Sequence, residues 1–470
     1  MGTHDLSRRT LLRGAAASAL GVAASGAGPA FSQGGLPENE RGIVSAIEAA
    51  AEPLPGIASD AFASVIDRFA DARVILLGES THGTDQFYRA RAAITERLIR
   101  EHGFNIVAIE ADWPDAARID AYVRDRAEMP TALTPFQRFP VWMWRNRAMR
   151  DFVDRLKVIN QQIDDPDRRA GVHGLDLYSL PSSMDAVVDF VRRHDPAALQ
   201  EVRERYGCLA PWVDDPAAYG ALAQRSPADS CSDEVVAVIE DVLRDRMSMI
   251  EASDSAFFDA LQNARVVAAS EAYYRAMYEG SVASWNLRDT HMFETLQAVL
   301  EARGPDAKAV VWAHNSHVGN AAATQMGRRG EINIGQLSRE AFGNDAVLVG
   351  FGTDRGTVTA AHGWNGATET MIVRPSVPAS WGALMREAEP DRFFLDIRNV
   401  AGLAETLEPW RPERFIGVIY RPQTELVSHY AEASLSAQFD AYFWFEETDA
   451  VEPLPAVELE AMPQTYPFAL

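Results

Sequence analysis

Short, unbroken apolar runs that stop abruptly at titratable residues constrain this fold more than any other feature of the chain. Val74-Ile75-Leu76-Leu77 leads straight into Gly78-Glu79-Ser80-Thr81-His82-Gly83, and Val310-Val311-Trp312-Ala313 leads into His314-Asn315-Ser316-His317. Each run is short and lacks polar alternation, the pattern of a strand buried on both faces of a parallel sheet. Strands are predicted at Arg73–Leu77, Asn105–Ile109, Gly171–Leu175, Ala309–Ala313, Ala346–Gly350, Phe393–Ile397 and Phe415–Ile419, with helical spacers between them. In the first spacer, Asp85–His102, residues Ala90, Ile94, Leu98 and Ile99 share one helical face, and Gly103 suits the C-cap. Strand, helix and strand with a short return make a parallel βαβ unit. The expected fold is α/β, a parallel-centred sheet flanked by helices, and in such sheets ligands gather beyond the carboxyl ends of the strands.

A helical insertion is expected from about Ser182 to Ala302, including Phe257–Tyr278 and broken at Pro211, Pro216 and Pro227. It reads as a lid or side bundle on a single catalytic domain spanning 31–470. The first 30 residues read as a leader. Ser7-Arg8-Arg9-Thr10-Leu11-Leu12 has the twin-arginine export pattern, an Ala/Gly stretch runs from Ala15 to Ala27, and Gly28-Pro29-Ala30 ends it with small residues. The mature chain is expected to start near Phe31 and to reside in the periplasm or outside the cell, delivered by the twin-arginine machinery. No later stretch has ~18 uninterrupted apolar residues, so no membrane span is expected. A formal net charge of -23 argues against nucleic acid and anionic lipid as partners and chiefly serves solubility. The two cysteines, Cys208 and Cys231, have no Cys-x-x-Cys spacing, which argues against a thiolate zinc site and leaves a single disulfide open.

Glu79 and His82 follow the first strand, Glu110 the second, Asp176 the third, and His314 and His317 the fourth. Singly, each has an ordinary structural reading: a hydrogen-bonded core histidine, a helix-capping glutamate, a surface charge. Together, acids and imidazoles on one rim point to a catalytic cleft. Of Arg89 and Arg91, one is expected to turn back as a carboxylate partner and the other to lie on the surface. Two chemistries fit the set. In one, an imidazole deprotonates water that attacks an ester or lactone, a glutamate orients the imidazole, and a second histidine or an arginine stabilises the oxyanion. In the other, Glu-x-x-His and His-x-x-His bind a divalent metal such as zinc that activates the water. Serine catalysis is disfavoured, because neither Ser80 nor Ser316 lies in a Gly-x-Ser-x-Gly elbow.

Longer motifs surround these residues: Gly78–Thr84 with Arg91, Glu110-Ala111-Asp112-Trp113-Pro114-Asp115-Ala116, Trp142-Met143-Trp144-Arg145-Asn146, Asn286-Leu287-Arg288-Asp289, Ala313–His317, Ile416–Pro422 and Ser428-His429-Tyr430. In this order, over roughly Glu40 to Leu454, the chain resembles the erythromycin esterase family. The resemblance implies a hydrolase of carboxylic esters with His82 as general base, Glu79, Glu110, His314 and His317 completing the site, and Arg91 as electrostatic partner. It implies a small-molecule ester or lactone as substrate and no cofactor, although metal-dependent hydrolases occur in the wider superfamily. A third reading is a non-catalytic periplasmic binding protein that retains the cleft. A binding pocket has no need of a poised base, which counts against that reading.

Overall fold

The computed structural model describes residues 36–128, 135–226, 230–239 and 254–455, so the proposed leader lies outside the described residues. Its strands in chain order are β1 (Glu52–Pro53), β2 (Val74–Leu77), β3 (Ile106–Asp112), β4 (Gly171–Asp176), β5 (Ala309–Trp312), β6 (Ala346–Ala360), β7 (Glu369–Val373), β8 (Arg392–Asp396), β9 (Arg411–Arg414), β10 (Tyr430–Ala433) and β11 (Ala441–Thr448). Nine of these form one sheet in the order β1-β8-β11-β6-β2-β5-β3-β4, with β7 paired to the far end of β6. From β11 to β4 every neighbouring pair is parallel, and β1, β7 and β8 run antiparallel at the margins. The apolar runs that predicted β2 and β5 are buried at every position, as a two-sided parallel sheet requires.

β2 and β3 are not immediate neighbours. β5 lies between them, and the three strands are in step: Leu77 pairs with Trp312 and Trp312 with Ile109. A histidine-bearing strand end is thereby inserted between the Glu79/His82 turn and Glu110. The helix Asp85–His102 leaves β2 on one side and ends at Gly103 in the left-handed conformation, φ 72°, where glycine carries no steric penalty.

The sheet departs from expectation at its carboxyl-terminal end. Phe415–Ile419 is not a sheet strand. The neighbouring β9 pairs with β10 in a separate two-stranded sheet, while Ile416 and Ile419 form isolated bridges to Thr81 and Ala361. The place beside β6 belongs to β11, whose Tyr442, Phe443, Trp444 and Phe445 are all buried. Ile416 instead braces the His82 turn: its N–H donates to Ser80 O at 2.8 Å, and its carbonyl accepts His82 N–H at 3.3 Å.

Between Leu180 and Ala302 every regular element among the described residues is helical, the two longest helices being Asp254–Ala276 and Ser281–Ala302. They enclose their own apolar cluster, which includes Val187, Val202, Tyr219 and Tyr273. Cys208 and Cys231 form a disulfide within this layer, Cα–Cα 5.8 Å, closing a loop of sequence separation 23.

Candidate active site

The turn after β2 is built by close approach. A side chain at Gly78 would collide with Asn315 Oδ1, and one at Gly83 would meet the Thr359 backbone at 1.9 Å. Between these glycines, Glu79 and His82 are fixed in space. Nδ1 of His82 lies 2.9 Å from Glu79 Oε1, and Glu79 Oε2 accepts from Arg91 Nη2 at 2.6 Å. An ionised carboxylate only accepts, so Nδ1 carries the hydrogen and Nε2 keeps its lone pair. Arg91 is fully buried, with its guanidinium 4.7 Å from the Tyr88 ring centre and 5.0 Å from that of Trp312. Arg89, by contrast, pairs with Asp85 at the surface, which resolves the choice between the two arginines.

Glu110, on β3, is the hub. Its Oε1 accepts from Arg288 Nη2 at 2.9 Å and lies 3.3 Å from His317 Nε2 and 4.0 Å from His82 Nε2. Its Oε2 accepts the His314 backbone N–H at 2.9 Å. Burial alone would raise the Glu110 pKa, but His317, His82 and Arg288 together hold it well below the usual carboxylate range. Asp176, at the end of β4, takes Arg288 Nε and Nη2 at 2.9 and 2.6 Å, a bidentate pair.

The two histidines after β5 sit in opposite electrostatic surroundings. His314 Nδ1 accepts the Ser316 N–H at 3.3 Å and lies 2.8 Å from Ser316 Oγ, so its hydrogen sits on Nε2, toward the Ser80 carbonyl but without a well-formed hydrogen bond. Burial, followed by the nearby His82, pushes its pKa well down, and the ring is neutral. For His317 burial again opposes charge, but the carboxylates of Asp289 and Glu110 outweigh it and push the pKa up to about 9. Its Nδ1 donates to Asp289 Oδ1 and Oδ2 at 2.9 and 3.0 Å, and its ring stacks on Trp285, 4.6 Å between centres and 6° from parallel.

All six residues singled out in the sequence (Glu79, His82, Arg91, Glu110, His314 and His317) thus meet in one cluster: Arg91, Glu79 and His82 form one hydrogen-bonded set, Glu110, His314 and His317 are joined to Asp176 through Arg288 in another, and the two sets meet where the His82 ring lies 4.8 Å from that of His314 and its Nε2 4.0 Å from Glu110. Sequence reasoning assigned no role to Arg288 or Asp289, both buried on the helix Ser281–Ala302. The signal was present: an Arg-Asp pair beside Trp285 and Leu287, in a helix otherwise rich in apolar residues. Four carboxylates (Glu79, Glu110, Asp176 and Asp289) face two guanidiniums (Arg91 and Arg288), and Arg288 Nη1 also donates to His317 Nε2 at 3.0 Å, so the cluster carries an excess of acidic groups.

The cluster opens on a cleft of ≈ 930 Å³ including its mouth, whose lining includes His82, Glu110, His314, His317 and Arg288 together with Phe136, Phe139, Trp144, Trp364 and Val418. Asp112 in its wall is paired with Arg138. The lining combines these charged and imidazole groups with several aromatic side chains, an arrangement that orients a polar bond inside a largely apolar molecule.

A family model described as erythromycin esterase matches residues 99–448. The chain belongs to the erythromycin esterase family. Membership supports a hydrolase of this family's kind. Among curated relatives, YbfO of Bacillus subtilis (strain 168), a hydrolase by name only, is 20% identical over 392 residues, covering 80% of this chain and 83% of the relative. Erythromycin esterase type I of Escherichia coli is 20% identical over 292 residues, covering 59% of this chain and 69% of the relative. A crystal structure of a Bacillus cereus protein superposes with TM-score 0.76 at 21% identity, covering 89% of this chain and 100% of that one. A crystal structure titled as a succinoglycan biosynthesis protein gives TM-score 0.74 at 22% identity, covering 88% of this chain and 99% of that one. An erythromycin esterase mutant, EreC, in its open conformation gives 0.62 at 16%, covering 84% and 95%. These likenesses establish the fold, with its mostly parallel central sheet flanked by helices.

Proposed function

We propose that the protein hydrolyses a carboxylic ester or lactone, with His82 as the base that takes a proton from the attacking water. The observation that carries this reading is the chain Arg91–Glu79–His82, at 2.6 and 2.9 Å. It fixes the imidazole tautomer with the Nε2 lone pair free, on a ring that lines the cleft. As the carbonyl is attacked, negative charge develops on its oxygen. Arg288, held in place by Asp176 and Glu110 and lining the same cleft, is the cation placed to stabilise it.

The metal-dependent alternative fits the residues poorly. The space between Glu110, Asp176 and His317 is filled by the Arg288 guanidinium, which donates to all three and leaves no room for a cation among them. Among the described residues, no group of three or more His, Cys, Asp or Glu is arranged to hold a metal ion. No step is therefore routed through a metal. The expected result is turnover of esters or lactones from a broad panel, macrolides included, at a rate that a chelator leaves unchanged. Activity lost to chelator and restored by zinc would replace His82 with a metal as the activator of water.

Export is proposed from the leader pattern Ser7-Arg8-Arg9 and accords with a disulfide, which persists in oxidising compartments. Fractionated cells should yield the protein outside the cytoplasm, with no free thiol on titration after unfolding without reductant. Recovery from the cytoplasm would remove the export proposal.

A further inference from the structure

Phe136, Phe139, Trp144, Tyr178, Trp285 and Trp364 all line the cleft, and the protein fixes how their rings are presented. Trp144 donates its indole N–H to the Glu110 carbonyl at 2.8 Å, which ties this ring to the strand that carries Glu110. Trp285 donates its N–H to the Ile332 carbonyl at 2.8 Å and stacks on His317. Tyr178 donates its hydroxyl to Tyr273 Oη at 3.3 Å, and the Arg288 guanidinium lies 5.2 Å from its ring centre. Phe136 lies 6.4 Å from Trp144 between ring centres, and Phe139 meets Trp364 edge to face at 4.8 Å. Aromatic surface is thereby held in register with the reacting groups.

The other polar side chains of the lining are already engaged. Asp112 pairs with Arg138, which also donates to the Tyr178 carbonyl, and the second Asp112 oxygen is buried away from solvent. Asp115 faces the Phe136 N–H, and Ser316 Oγ is bonded to His314 Nδ1 at 2.8 Å. Beyond the catalytic groups, the described lining therefore offers a substrate mainly ring surface. A hydroxyl brought against it would give up water and gain no partner. An aromatic ring would gain offset and edge-to-face contacts that a saturated ring of the same size cannot make.

We propose that the substrate is an ester or lactone with an undecorated aromatic ring next to the scissile bond, docked against Phe136, Trp144 and Trp285. The assignment rests on the ester-hydrolase reading above and narrows it: sugars and other polyols fit this cleft poorly.

The test uses pairs of esters that differ only in the saturation of one ring. Ethyl phenylacetate against ethyl cyclohexylacetate places the ring on the acyl side, and benzyl acetate against cyclohexylmethyl acetate places it on the alcohol side. Hydrophobicity alone favours the saturated member of each pair. The wild type should instead give kcat/KM on the order of tenfold higher for the aromatic member of at least one pair, the scale of a few ring contacts. Ethyl 3,4-dihydroxyphenylacetate should lose most of that advantage. Trp144→Leu should abolish the preference and Trp144→Phe should keep it, a comparison in which both variants lack the bond to Glu110. Calorimetric binding of phenylacetamide and cyclohexylacetamide to the wild type gives the same comparison without turnover or substitution. Saturated members that are cleaved and bound as well as aromatic ones, or a dihydroxy ester that matches its parent, overturn the assignment and leave the hydrolase reading standing. If no ester is cleaved while phenylacetamide still binds the more tightly, the hydrolase reading fails and the aromatic site stands.

Discussion

Replacing His82 with alanine should lower kcat on the order of a thousandfold, with KM changed far less, because the variant would lose the lone pair proposed to activate water, one that is both oriented and free. Glu79 only accepts from Nδ1, and Arg91 only donates to Glu79, so neither can take over as base. Glu79→Gln should give a smaller loss, since an amide still holds the ring in place but permits either tautomer and removes the charge that stabilises the imidazolium. Folding of both variants is checked by circular dichroism. A His82→Ala enzyme with wild-type kcat would move the base elsewhere. His314 would be a poor substitute, because its Nδ1 is occupied by the Ser316 N–H.

The Glu79–His82 pair was legible because it is local. A three-residue spacing in a turn bracketed by Gly78 and Gly83, directly after a buried strand, leaves few places for the side chains to go. What the sequence does not carry is lateral strand order. The composition of Val74–Leu77, Ile106–Ile109 and Ala309–Trp312 is nearly interchangeable, so nothing local says that β5 inserts between β2 and β3. Convergence of strand ends was inferable, but not which residues would touch. Phe415–Ile419 misled for a related reason. Its apolar run is real, but Ile416 and Val418 bury against the His82 turn and the cleft rather than entering the ladder. The aromatic run Tyr442–Phe445 fits beside β6 because Gly350 and Gly352 leave room for the Tyr442 ring. Arg288 stayed hidden because most arginines in helices are solvated. Only tertiary structure shows this one placed between Asp176 and Glu110.

Arg288→Met should be the most destabilising change at the site, at a cost of about 3–5 kcal/mol, the range for removing one partner of a buried ion pair. The magnitude follows from what remains. Glu110 and Asp176 would stay buried without the guanidinium that now bonds both, and desolvated carboxylates must then either recover a proton or draw in water. Chemical denaturation of wild type and variant at pH 7 measures the difference. Arg288→Met combined with Asp176→Asn should recover part of it, since one orphaned charge is gone, whereas independent sites would give losses that add. Arg288→Lys separates charge from shape. The ammonium restores a positive charge, but it cannot present the fork that grips Asp176 through Nε and Nη2 while reaching Glu110. Stability should therefore return further than kcat does. If Arg288→Lys regained full activity, a point charge would be sufficient on the oxyanion side of the cleft, and the bidentate anchoring would be a matter of folding alone.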